Sequence, residues 1–137
     1  MANLSKSKYI TYCQCPKALW LKQYKPEEMV IDPLTQARFD AGTEVGELAK
    51  RLFGDFVEAT TYKTAADGTQ RLDLGAMAAA TQKALAEGAE NIAEAAFIYD
   101  GCYCAVDLLH KTPHGYAIYE VKSSTDLKEL EVYAQDV

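Results

Sequence analysis

Asp107, Glu120 and Lys122 are the residues of this chain whose types and spacing most directly suggest chemistry. The stretches Cys102–Leu109 and Tyr116–Lys122 alternate as strands do, and the turn Thr112-Pro-His-Gly115 lies between them. A symmetric turn over residues 110–115 sets Asp107 directly opposite Glu120. The two-residue period of a strand then puts Lys122 on the face of Glu120, with Tyr119 and Val121 on the other. Two carboxylates held together are costly unless one is protonated or a cation neutralises them. Mg²⁺ or Mn²⁺ suits such oxygen donors, and the adjacent lysine orients a water or stabilises phosphate charge. Phosphodiester hydrolysis is the reaction this set would serve. On spacing alone, a solvated cross-strand salt-bridge cluster is the simpler explanation of the same three residues.

The elements that must position these groups follow from local signals. Ser5 caps a short helix through Tyr12, and Cys15-Pro16 opens a second one reaching Tyr24. Asp32-Pro33 opens a third, in which Leu34, Ala37, Ala41, Val45, Leu48 and Leu52 recur at helical spacing until Gly54. Glu44 and Glu47 share a face of that helix, on or near the flank of the apolar stripe. Phe56–Tyr62 reads as a strand, Asp67-Gly68 as a turn and Leu74–Glu87 as a helix stopped by Gly88. Ala93–Tyr99 and Cys102–Leu109 form a hairpin about Asp100-Gly101. Glu94 falls at the start of its first strand, where a solvated strand end is a stronger reading than a role in metal binding. Ser123–Asp126 caps a last helix with an apolar face at Leu127, Leu130, Ala134 and Val137. The expected fold is α/β (α+β): N-terminal helices, three antiparallel strands and a closing helix. The 137 residues fit one domain, and a stripe still running at Val137 leads us to expect that the parent protein continues.

Fourteen basic and twenty acidic residues give a net charge of −6, against nucleic-acid binding driven by overall charge. The distribution is uneven. Residues 1–25 hold five lysines and no acid, leaving −11 on the rest, and Tyr9, Tyr12, Trp20 and Tyr24 are interleaved with those lysines. Lys6, Lys8, Lys17, Trp20 and Lys22 are therefore candidates for phosphate attraction and base stacking. Helices that pack their aromatics inward and solvate their lysines explain the same pattern, and are the stronger reading. No apolar run approaches the length of a membrane span and no hydrophobic signal core opens the chain, so a cytoplasmic location is expected. Cys13/Cys15 and Cys102/Cys104 form two Cys-x-Cys pairs, which with His110 and His114 raise a zinc site, although no Cys-x₂-Cys pairing supports it. Cys102 and Cys104 alternate away from Asp107 and are expected to pack against helices.

The run Asp107-Leu-Leu…Glu120-Val-Lys122-Ser-Ser resembles the D…(E/D)xK signature of the PD-(D/E)XK nuclease superfamily. LSKSKYITYCQCPKALWL, FDAGTEVGELAKRLF and EAAFIYDG…VDLL…YEVKSST resemble its RecB-like branch, particularly a bacterial group, over nearly the whole chain. The resemblance implies a restriction-endonuclease-like core and a Mg²⁺- or Mn²⁺-dependent DNA nuclease. Asp107, Glu120 and the Val121 carbonyl would hold the metal, Lys122 would assist the attacking water, and Glu47, Glu44 or Glu94 would add a ligand. It also matches Cys15 to an upstream iron–sulfur cysteine, with a 4Fe-4S cluster expected only in the full-length protein. Two departures stand out. GTEVGEL has Gly46 where many RecB-like nucleases align a histidine, and Tyr133 and Gln135 lack the usual glutamine-then-tyrosine spacing. Little or no nuclease activity is expected from these 137 residues alone, with DNA and the rest of the parent chain as partners. The runner-up is a catalytically silent nucleic-acid-binding module of the same fold, and the third reading is a zinc-stabilised interaction domain.

Overall fold

The computed structural model describes residues 4–124 and Ala134. Helix α1 (Lys6–Gln14) starts where the Ser5 hydroxyl accepts the Lys8 N–H at 3.2 Å. Cys15 is extended, and Pro16 restarts the chain as α2 (Pro16–Tyr24), because proline's fixed φ suits a first helical position. Helix α3 (Pro33–Ala49) is capped by Asp32, whose carboxylate accepts the N–H groups of Leu34 and Thr35. It stops five residues short of the expected Gly54. Asn91 donates to the carbonyls of Phe53 and Asp55, at 3.2 and 2.8 Å, and draws that stretch from the helix axis towards the sheet. The apolar stripe of α3 is not buried: Leu34, Leu48 and Leu52 are exposed.

The expected strand over 56–62 is divided. Val57–Glu58 (β2) joins the main sheet, whereas Tyr62–Thr64 (β3) turns back through Asp67-Gly68 to pair with Gln70–Leu72 (β4) as a separate hairpin. Helix α4 (Leu74–Ala86) follows, capped by Asp73 on the Ala76 N–H. Strands β5 (Asn91–Tyr99), β6 (Cys102–Thr112) and β7 (Gly115–Tyr119) are successive antiparallel neighbours. Asp100 and Gly101 both have positive φ, as a two-residue hairpin turn of matching twist requires. Leu4–Ser5 (β1), unanticipated from the sequence, lies parallel to the start of β6, and β2 lies parallel to β5. The sheet is thus mixed, in the order β1-β6-β5-β2 with β7 also on β6, and the chain is of mixed α/β class.

The core lies between α4 and the β5–β6 hairpin, where Ile92, Ala95, Val106 and Leu109 meet Ala84 and Ala59. β2 pairs only with Ile92 and Ala93, leaving the Ala96 N–H without a strand partner on that side. The buried Thr81 hydroxyl accepts it at 2.8 Å and itself donates to the Met77 carbonyl at 3.0 Å. β7 ends at Tyr119, so Glu120 and Lys122 lie beyond the strand on which they were expected. The helix expected over Leu127–Val137, with Asp126, Tyr133 and Gln135, lies outside the described residues apart from Ala134. Among the described residues no helix is long and apolar enough to cross a membrane.

Candidate functional site

The β6–β7 register is the one a symmetric turn implies: Leu108 faces Tyr119 and Leu109 faces Ile118, which carried one step on aligns Asp107 with Glu120. The two side chains nevertheless do different things. The Asp107 carboxylate accepts the Val121 N–H at 2.6 Å, an interaction that replaces a ladder bond and ends β7. The Glu120 carboxylate is held by two ammonium groups, Lys6 at 2.8 Å on one oxygen and Lys122 at 2.7 Å on the other. Asp107 has a second acidic neighbour, Glu94, facing it across β5 and β6. The β5–β6 ladder pairs Ala93 with Leu108 and Ala95 with Val106 and passes over this position.

Glu94 is not at a solvated strand end. It sits in the middle of β5, half-buried, with a positive φ of 54°. That conformation is uncommon for a residue with a side chain and costs about 1–3 kcal/mol, a strain that clusters at functional sites. Burial raises the Glu94 pKa above the ordinary 4.5, and the charges of Asp107, Glu58 and Glu47 add to the rise while Lys50 opposes it. A hairpin symmetric about Asp100-Gly101 pairs residue 94 with 107, so this juxtaposition was open to counting from the turn.

A cleft of about 710 Å³ separates α3 from these strands. Arg38, Gly42 and Glu47 of α3 line one wall, and Glu94, Asp107 and Lys122 line the other. Val121 also lines it, whereas Glu44 and Glu120 do not. Gly46 is at this wall, and a side chain there would meet nothing within 4 Å. Lys50, one turn beyond Glu47, is a feature the sequence did not disclose. Burial would lower its pKa, but hydrogen bonds to Glu47 at 2.7 Å and Glu58 at 2.8 Å outweigh burial and raise it. Glu58 is shifted the other way: burial opposes ionisation, and the hydrogen bonds from Lys50 and Thr60 overcome it, leaving its pKa lowered.

The oxygen donors at this cleft include the carboxylates of Glu47, Glu94 and Asp107, the chemistry that fits a hard divalent cation. Glu94 and Asp107 supply the facing pair. Among the described residues, no three His, Cys, Asp or Glu side chains stand together as a metal-holding group. Glu120 would have to exchange its lysine partners to complete one.

The remaining candidates are dispersed. His110 donates from Nδ1 to Asn91 Oδ1 at 2.7 Å, because the Asn91 amide nitrogen is committed to two carbonyls, and its ring stacks on Phe53 with centroids 3.9 Å apart. His110 and Cys102 are at opposite ends of β6, about 26 Å apart at a strand's rise per residue, too far to share a zinc ion. His114 is exposed at the β6–β7 turn. Cys13 and Cys15 are exposed free thiols at the end of α1, and Cys102 and Cys104 line an apolar groove beside Leu4 and Tyr9. The described cysteines therefore do not gather into a zinc or iron–sulfur ligand set. Lys6 reaches the site through Glu120. Tyr9, Tyr12, Trp20 and Tyr24 are each at least half exposed rather than packed inward, and Trp20 and Tyr24 form a pair with centroids 5.6 Å apart.

No family model, no curated protein and no solved structure matches the chain.

Proposed function

We propose that this chain is a divalent-metal-dependent DNA nuclease module of the PD-(D/E)XK type, RecB-like branch, with a restriction-endonuclease-like core. The observation that carries the proposal is the facing pair Glu94 and Asp107, which lines one cleft with Glu47, Val121 and Lys122. Two half-buried carboxylates of like charge are unfavourable neighbours at neutral pH, and a cation between them removes that penalty. Glu94, Asp107 and the Val121 carbonyl would hold Mg²⁺ or Mn²⁺, joined by Glu47 and by Glu120 on release from lysine. When bound, the metal polarises the phosphate and lowers the pKa of the attacking water.

The chain's own groups do the rest. Asp107, by accepting the Val121 N–H, fixes the segment that carries Lys122 at the cleft. Lys122 neutralises phosphate charge and orients the water, and Arg38 on the opposite wall offers a second positive contact for the backbone. Lys6 and Lys122 each hold one oxygen of Glu120, so both must yield before that carboxylate is available to a metal. The α1–α2 helices present lysines and open aromatic faces to the strand. One observation favours the silent DNA-binding alternative: Glu120 is already satisfied by two lysines.

Thermal melting under Mn²⁺ titration separates the two. The nuclease reading expects Mn²⁺ to raise the melting temperature in a saturable way, and EDTA or Asp107→Ala to abolish the rise. Any Mn²⁺-dependent cleavage of linear DNA should then be lost in Lys122→Ala. DNA binding without any Mn²⁺ stabilisation or cleavage would establish the silent module instead.

A further inference from the structure

Beside this cleft, on the other side of Glu94, lies a second chamber of about 550 Å³. Its walls are Tyr62 and Leu72 of the β3–β4 hairpin, Met77 of α4, and Tyr103 and Ala105 of β6. Glu47 and Glu94 line both spaces, so the two are adjacent. Their chemistry differs. The first sets Arg38 and Lys122 against Glu47, Glu94 and Asp107, and with a cation neutralising the carboxylates it is suited to a phosphate. The second sets three carboxylates, Glu47, Glu58 and Glu94, against the single ammonium of Lys50, and so disfavours an anion. Two tyrosine rings and an apolar floor favour instead a flat, uncharged group.

Its polar groups say more about that occupant. Glu58 is occupied by Lys50 and by the N–H and hydroxyl of Thr60. The Glu94 carboxylate, half-buried between the two spaces, accepts no hydrogen bond from the described residues. The hydroxyl of half-buried Tyr103 donates only to the Met77 sulfur at 3.7 Å, a weak acceptor, which leaves its own oxygen able to accept. Two acceptors beside tyrosine rings and apolar side chains fit a ring that bears N–H donors.

We propose that this chamber binds the nucleobase next to the phosphate in the first cleft, with preference for a base carrying an exocyclic amino group. Glu94 accepts the amino N–H, and Tyr62 and Tyr103 contact the ring. The phosphate half of this statement rests on the nuclease reading; the base half does not.

The test uses free nucleosides, which carry no phosphate, with metal removed by EDTA. The chain has three methionines, so a ¹³C-methyl methionine spectrum resolves Met77 in the chamber floor, with exposed Met29 as an internal control. Deoxycytidine and deoxyadenosine should shift the Met77 methyl saturably, at about millimolar affinity, and leave Met29 unmoved. Thymidine, which lacks the amino group, should bind about fivefold more weakly, the size of one net hydrogen bond. Tyr62→Ala, on the exposed hairpin, should weaken all three, and Glu94→Gln should level the preference. No Met77 shift with any nucleoside, equal binding of thymidine, or binding unchanged in Tyr62→Ala would each overturn the proposal. Nucleoside binding without saturable Mn²⁺ stabilisation would retain the base site and refute the nuclease reading; Mn²⁺ stabilisation without nucleoside binding would do the reverse.

Discussion

The β5–β6 hairpin with α4 and the α1–α2 helical pair are both regular, yet only the first is stabilised by burial. In the hairpin Ile92, Ala93 and Ala95 are fully buried, and Thr81 satisfies the Ala96 N–H, which the short β2 leaves open. In α1 and α2 no residue is buried, although each helix has a good start signal. Isolated helices of nine residues are marginal in water, so these two depend on each other, on β1, and on Lys6 anchoring to Glu120. A core accounts for the conformation of the hairpin. An exposed surface of lysines and aromatics is better explained by what it contacts.

The sharpest way to break this contrast is Ile92→Ala, which should cost about 2–5 kcal/mol in urea denaturation, because a fully buried side chain leaves a cavity. A cost under about 1 kcal/mol would show that the hairpin is not the core. Thr81→Val is smaller and more specific. It keeps the shape but strands the Ala96 N–H, for an expected loss of about 1–3 kcal/mol, and hydrogen exchange at Ala96 should accelerate.

Glu94→Gln should act in the opposite direction. A carboxyl whose folded pKa lies above 4.5 stabilises the fold while protonated, and that contribution disappears as pH rises through the folded pKa. The wild-type chain therefore carries a penalty at neutral pH that glutamine removes. In EDTA the variant should melt higher than wild type at pH 7 to 8, with the gain vanishing below about pH 4.5. With Mn²⁺ added the order should invert. A pH-independent difference would mean that the buried charge is not its cause.

The fold was legible where period and punctuation agreed. Asp100-Gly101 fixed the β5–β6 turn, Asp32-Pro33 and Cys15-Pro16 opened their helices, and Leu74–Ala86 ended close to Gly88 as expected. Misreadings came where tertiary contacts override local preference. Phe56–Tyr62 reads as one strand, but it pairs with β5 only over Val57 and Glu58, with one further hydrogen bond from the Ala59 N–H to the Ala93 carbonyl, and the chain then leaves the sheet to form β3 and β4. The end of β7 depends on Asp107 capturing the Val121 N–H, which no periodicity encodes. At the site, residue types were readable and partners were not. Alternation aligned Asp107 with Glu120, but Lys6, over a hundred residues earlier, was invisible as the cation that holds Glu120. Lys50 and Glu58 were hidden for the same reason, since their pairing bridges the helix-to-strand turn.

The smallest expected effect on stability sharpens the contrast most. Trp20 and Tyr24 are 52% and 66% exposed, so replacing both by alanine should change the unfolding free energy by no more than about 0.5 kcal/mol. Their rings are nonetheless the largest open aromatic faces among the lysines of α2, and each stacked base is worth about 1–3 kcal/mol in single-strand binding. The double variant should therefore bind a fluorescent single-stranded oligonucleotide at least tenfold more weakly by anisotropy, about 1.4 kcal/mol, with an unchanged salt dependence. Lys8→Gln with Lys17→Gln should do the complementary thing, lowering the slope of log affinity against log salt by about 0.7 for each phosphate no longer neutralised. A large stability loss in the aromatic variant would make α2 a packing element after all. Unchanged affinity in both variants would leave the charge and the aromatics of this region without a nucleic-acid role.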